Sequence, residues 1–246
     1  MNYLYEKNRS SFEDFSSGRV LYNAHGTTSF PVKLASEIIQ RCFHYLKSQG
    51  NKGPYTLYDP CCGGGYLLSV LGFLHGDRIR KIVASDIDVS KLELAKSNLS
   101  LLTPKGLAKR EKQLKSLYDQ YGKQSHLDAL QSAERLNAML PEKIDIHCSV
   151  HDITTSNKNI ALEKQSINIV ISDLPYGNMV DWMGESANPV QHFFNNIYDL
   201  FVPCHSVAAI ISNEKLKIED QRFRRKDYFK VGKRHVAIYE LQQQLR

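Results

Sequence analysis

The sequence predicts a doubly wound α/β domain: a mostly parallel sheet covered on both faces, with a helical insertion. Three observations predict it. Short apolar strand patterns alternate with helical ones through the body of the chain, the pattern of parallel strands joined by crossover helices. The first strand runs into a glycine cluster, Gly63-Gly64-Gly65, that opens a helix. A charged, helix-forming stretch from about 103 to 140 is far longer than a connection inside a compact domain, and reads as an inserted helical pair.

Each element follows from local chemistry. After an irregular polar start, Leu34, Ala35, Ile38, Ile39, Cys42, Phe43 and Leu46 recur at helical spacings of three and four. Pro31 suits the first helical position, where its missing N–H costs nothing. The breaker cluster Gln49-Gly50-Asn51-Lys52-Gly53-Pro54 ends that helix. A strand over Thr56–Asp59, the turn Pro60 to Gly65 and a helix over Tyr66–Leu74 come next. A second strand, Lys81–Ser85, ends in Asp86-Ile87-Asp88, and Ser90 is expected to cap a helix over Lys91–Leu101. Beyond the insertion lie strands at Ile144–Ser149, Ile167–Ser172 and Val207–Ser212, a helix at Val190–Phe201 and an alternating strand at Arg234–Leu241. The 246 residues read as one domain, 1–246, with an N-terminal helical extension over about 1–50.

Composition narrows the class. No apolar run approaches the roughly 20 residues a membrane span needs, and the first residues mix acids with aromatics instead of forming a secretory signal. A cytoplasmic protein with no membrane partner is expected. The five cysteines, Cys42, Cys61, Cys62, Cys148 and Cys204, are odd in number and form no Cys-x-x-Cys pair, which argues against a disulfide framework. The adjacent Cys61 and Cys62 invite a redox or metal reading, but no second ligand pair follows at zinc-like spacing. No metal is expected, and two small side chains packed beneath a glycine turn is the simpler reading. Nothing asks for an obligate dimer, so a monomer is expected.

Three motifs carry chemistry. The first is Asp59-Pro60-Cys61-Cys62-Gly63-Gly64-Gly65 at a strand–helix junction, the edge of an open α/β sheet where ligands bind. Its glycines allow positive φ and close backbone approach to a ligand. The second is Asp86 at the end of the next strand, placed to accept hydrogen bonds from ribose hydroxyls. An acid ahead of the glycines, without G-x-G-x-x-G spacing, disfavours a pyrophosphate. It suits a cationic ligand such as S-adenosylmethionine better than NAD. The third is Ser172-Asp173-Leu174-Pro175-Tyr176-Gly177 after a buried strand. Asp173 and the Leu174 carbonyl would orient an amino group on a planar base, Pro175 would fix the turn, and Tyr176 would stack. Asp152, after a further strand, is placed for an adenine amino group, with His151 beside it structural.

Together these residues resemble class I methyltransferases of Rossmann-like fold. Asp173-Leu174-Pro175-Tyr176 is similar to the Asp/Asn-Pro-Pro-Tyr/Phe motif of amino-group methyltransferases, with Leu174 in place of a proline. A nearer resemblance is to the AviRa-type avilamycin-resistance rRNA methyltransferases. It is carried by Phe30 to Ile38, Asp59 to Leu68, Ala84 to Asp88, Tyr121-Gly122-Lys123 and Asp173 to Gly177. It implies methylation of a guanine in large-subunit rRNA with S-adenosylmethionine as donor, in a family whose modification protects ribosomes from an orthosomycin antibiotic. It also implies a cofactor site of Phe30, Pro31, Asp59, Cys61, Cys62, Gly63, Gly65, Asp86, Ile87, Asp152 and Asp173. The catalytic set would be Asp173, Leu174, Pro175 and Tyr176.

The partner is read from charge. Residues 215–234 hold nine basic side chains against three acidic ones, an excess equal to the whole chain's +6. Arg222, Arg224, Arg225, Lys226, Lys230, Lys233 and Arg234 are expected to contact RNA, with Phe223, Tyr228 and Phe229 interleaved for stacking. Lys105, Lys109, Arg110, Lys112 and Lys115 in the insertion offer a second backbone contact. The alternatives are a DNA adenine methyltransferase, which shares the motif's logic, and a non-catalytic RNA-binding or ribosome assembly factor retaining the cofactor fold. An NAD-dependent dehydrogenase ranks behind both.

Overall fold

In the computed structural model, the described residues are 3–7, 11–24, 29–155, 162–175, 182, 186–216, 218 and 220–242. Seven strands form one sheet in the order β3-β2-β1-β4-β5-β7-β6. They are β1 (Tyr55–Asp59), β2 (Ile79–Asp86), β3 (Asp145–Val150), β4 (Ile169–Asp173), β5 (Val207–Ser212), β6 (Phe223–Val231) and β7 (Arg234–Leu241). The first five run parallel; β7 is antiparallel to β5, and β6 to β7. The chain order reverses between β1 and β4, so the crevice at their carboxyl ends is where a ligand is expected to sit.

Alternation along the strands divides the core. Leu57, Ile82, Ile169, Ile171, Ala209 and Ile238 face one layer, built from α1 (Val32–Ser48), α2 (Tyr66–His75), α3 (Val89–Ser100) and the insertion. Tyr58, Val83, Val170, Ala208 and Tyr239 face the other, against Phe193, Phe194 and Ile197 of α6 (Pro189–Tyr198). The insertion is the expected helical pair, α4 (Pro104–Tyr121) and α5 (Gln124–Asn137). It is not a separate lobe: Leu107, Leu114, Ala133 and Leu136 join the first core layer. Arg110 donates to the carbonyls of Val20 and Arg19 and stacks on Tyr22, so it pins the N-terminal segment and is not offered to RNA. Within that segment the regular structure is a short 3₁₀ turn at Glu13–Phe15 and α1.

Three local expectations are corrected. Pro31 is the N-cap of α1, its ψ of 116° still extended. Asp88, not Ser90, caps α3, because its carboxylate takes the free N–H groups of Ser90 and Lys91. Residues 223–231, read only as a basic segment, form an edge strand. Its period-two pattern is interrupted by a bulge between Arg225 and Asp227, which hides the alternation.

Candidate active site

The parallel half of the sheet brings four carboxylates to one edge. Asp173, Asp59 and Asp86 end β4, β1 and β2, and Asp152 follows β3, where the His151 N–H bonds the Asp86 carbonyl at 3.0 Å. Asp59 is buried. Its Oδ1 accepts from the Ser172 hydroxyl at 2.7 Å and the Cys61 N–H at 3.1 Å. Burial pushes its carboxyl up to about 7, and the neighbouring charges of Asp86 and Asp173 push the same way. Asp86 organises the turn: Oδ2 accepts from Gly63 N–H at 2.8 Å and Oδ1 from Asp88 N–H at 3.0 Å.

The glycine turn is shaped by packing. Gly65 has φ of +71°, and a Cβ there would lie 2.9 Å from the Ala95 Cα, so a larger residue would push α3 away. Gly63 has φ of +51° and open space above it, the side from which a ligand would approach. Asn98 was not foreseen from the sequence. Its Nδ2 bonds the Gly64 and Tyr22 carbonyls, and its Oδ1 accepts from Tyr22 N–H. The side chain thereby ties the turn to the N-terminal segment.

Cys62 is buried, and the cysteines among the described residues are free thiols. Burial, then Asp59 and Asp86, raise the Cys61 and Cys62 thiols well above their usual range. A thiolate, the form needed for nucleophilic or metal chemistry, is strongly disfavoured there.

Leu174 is buried against the α6 layer, and its N–H bonds the Ile211 carbonyl at 3.0 Å. A proline could not make that bond, which gives Leu174 a structural reason for its place. Pro175 follows half-buried; Tyr176 lies outside the described residues. Phe30 is buried, Pro31 exposed and Ile87 half-buried.

The basic residues divide into two groups. Arg222 is engaged by Asp220, Arg224 by Glu240, and Lys226 lies 3.5 Å from the same Glu240 carboxylate. Arg225, Lys230 and Lys233 are exposed. Arg225 lies 5.3 Å from the ring of Tyr228, itself exposed, while Phe223 and Phe229 pack inward. Arg234 sits apart from this face. It begins β7, its Nε is 3.8 Å from Asp173 Oδ2, and its guanidinium is 5.1 Å from the Phe30 ring centre.

Four acids and an open glycine turn can accept from hydroxyls and amines and attract positive charge. They repel phosphate. A nucleoside bearing cationic groups fits this donor set; a dinucleotide pyrophosphate does not.

Comparison with known proteins identifies the family. Residues 1–234 match the family described as rRNA methyltransferase AviRa. A 23S rRNA (guanine(2535)-N(1))-methyltransferase of Streptomyces viridochromogenes is 36% identical over 241 residues, covering 96% of this chain and 94% of the relative. The solved structure of rRNA methyltransferase AviRa from the same organism superposes with a TM-score of 0.82 at 34% identity, covering 97% of this chain and 96% of the other. TrmN from Thermus thermophilus shares the fold alone, with a TM-score of 0.50 at 13% identity, covering 87% of this chain and 50% of that one. The chain belongs to the AviRa family of rRNA methyltransferases.

Proposed function

We propose that this protein transfers a methyl group from S-adenosylmethionine to a guanine base of large-subunit rRNA, acting as a cytoplasmic monomer. The observation that carries the reading is the row of carboxylates at the ends of β4, β1 and β2 and after β3, in a chain of this family. Asp86 and Asp152 would hold the ribose hydroxyls and the adenine amine. Asp59, helped by Ser172, would face the cationic methionine end. Gly63, Gly65, Cys61, Cys62 and Ile87 would form the wall beside them, with Phe30 and Pro31 at the mouth. When bound, the cofactor supplies an electrophilic methyl group on a sulfonium.

The residues around the base do the remaining work. Asp173, the Leu174 carbonyl, Pro175 and Tyr176 would hold the guanine edge toward the methyl group and exclude water. Fixing the two reactants in line can remove roughly 7–11 kcal/mol of barrier. Asp173 takes up the proton released from the base. Arg225, Lys230 and Lys233, with the exposed Tyr228, would meet the RNA backbone and a flanking base. No helix among the described residues is long and apolar enough to cross a membrane.

The test is incubation with labelled S-adenosylmethionine and undermodified large-subunit particles, followed by nuclease mapping and nucleoside mass analysis. Label on one large-subunit guanine is the expected result. Cofactor binding without label on rRNA would defeat the reading, and label on duplex DNA instead would favour the adenine alternative.

A further inference from the structure

We infer that Arg234 selects the target base and stabilises its reacting form: its guanidinium donates to the guanine O6 while Asp173 takes the N1 proton. This rests on the proposed methyltransferase reading and assigns the chemistry of the base within it.

The argument starts from where Arg234 stands. Of the other arginines of this region, Arg222 and Arg224 are occupied by Asp220 and Glu240, and Arg225 is exposed over the Tyr228 ring. Arg234 instead points back to the carboxyl edge of the parallel strands. The 3.8 Å separation of its Nε from Asp173 Oδ2 is an ion-pair distance, too long for a hydrogen bond. That Nε is shielded from solvent and makes no hydrogen bond among the described residues. The guanidinium is steadied by the Phe30 ring, and both Arg234 and Asp173 keep 27% of their side-chain surface exposed. The arrangement is a donor and an acceptor side by side, paired by charge and partly open to a planar partner.

Guanine is complementary to that pair. Its edge presents O6 as an acceptor beside N1–H as a donor. Adenine presents an amino donor beside an unprotonated N1 acceptor, so Arg234 would meet a donor and Asp173 an acceptor. A site built to bond a substrate in this way rejects the mismatched analogue strongly, because its own polar groups are left unpaired. The same pair addresses reactivity. The N1 lone pair is delocalised and N1 is protonated at neutral pH. Breaking the N1–H bond sends the proton to the Asp173 carboxylate and leaves the electron pair on the base, shared between N1 and O6. A cation at O6 stabilises that developing charge. N1 then carries the electron pair that forms the new N–C bond.

The experiment compares the full-length wild type with Arg234→Gln and Arg234→Lys, in single-turnover methyl transfer to undermodified particles at saturating RNA, from about pH 6 to about pH 10. RNA affinity, calorimetric cofactor affinity and thermal midpoint are measured alongside. Arg234→Gln is expected to lose about 10²–10³-fold in rate near neutral pH, the cost of one oxyanion-type donor. The loss should shrink as pH rises and the base ionises unaided. Arg234→Lys, which keeps the charge without the fork, should recover part of the rate and secures the comparison if the Gln variant is unstable. A wild-type rate in both variants overturns the inference, as does a loss equal at every pH, or a loss confined to RNA affinity. Methylation at the exocyclic amine also overturns it while leaving the enzyme reading intact. A wild type that labels no guanine defeats both.

Discussion

The two halves of the sheet differ in the charge they present. At the parallel half, strands end in buried or half-buried carboxylates: Asp86, Asp59 and Asp173. At the antiparallel extension, β6 exposes Arg224, Arg225, Lys226 and Lys230. The acids are few and sheltered, and Asp59 and Asp86 are joined to backbone N–H groups, so they suit a small cationic ligand held in one pose. The cations are many and solvated, so they suit a polyanion held loosely along its length. Arg234 stands at the join, a cation of the second half facing an acid of the first. The acidic edge is sheltered from water; the basic edge is left in it.

The strongest way to break this contrast is to remove the acid at the join. Asp173→Asn is expected to lower methyl transfer by roughly 10²–10⁴-fold, the range of a general base, a far larger effect than on S-adenosylmethionine affinity by calorimetry. Retained turnover would remove Asp173 from the chemistry. Next is Asp86→Asn, which weakens the acceptor of Gly63 N–H and the proposed acceptor of ribose hydroxyls. Bonds to charged groups contribute about 1.5–3 kcal/mol, so cofactor affinity should fall by roughly 10–100-fold at saturating RNA; unchanged affinity would count against a ribose role.

Asp59 offers a test through pH. Its carboxyl is raised from 3.8 to about 7 in the folded protein, so between those values the native state holds a proton that the unfolded chain has released. Stability therefore falls as pH rises through that window, and the cost is fully present above about 7. Asp59→Asn, which can still accept from Ser172, should raise the thermal midpoint at alkaline pH and have little effect in acid. A midpoint gain equal at both ends would contradict the buried-charge account. Cofactor affinity should fall in the same variant.

The smallest effects belong to the basic face. Removing one cation that binds a phosphate should flatten the plot of log affinity against log salt by about 0.7 for single-stranded RNA. Arg225→Ala with Lys230→Ala should therefore lower the slope by about 1.4. Arg222→Ala with Arg224→Ala should change it less, because Asp220 and Glu240 already neutralise those side chains. Equal slopes for the two double variants would erase the distinction between exposed and occupied arginines.

Much of the fold was legible because buried parallel strands are written as short apolar runs. Val207–Ser212 and Arg234–Leu241 are found where the sequence predicts them. The site was legible where a strand end, a glycine turn and an acid are adjacent in the chain, as at Asp59 to Gly65. It was not legible where partners are distant in sequence. Asn98 binds Tyr22, 76 positions away, and no local pattern announces that bond. Arg234 reads as one more member of a basic run until folding sets it beside Asp173. For β6 the signal was masked by its charged outward residues and by the bulge.

That bulge has a mechanical consequence. In a regular strand Phe223 and Phe229, six positions apart, would point the same way. The extra residue reverses the parity, so Phe223 meets Phe194 on one side of the sheet while Phe229 lies under Arg41 on the other. The edge strand is thus riveted through both layers. It cannot swing out as a flap from either layer alone, and its amides paired with β7 should exchange with solvent only when the whole molecule opens. If this edge meets RNA as proposed, the nucleic acid is expected to conform to the strand and not the strand to it.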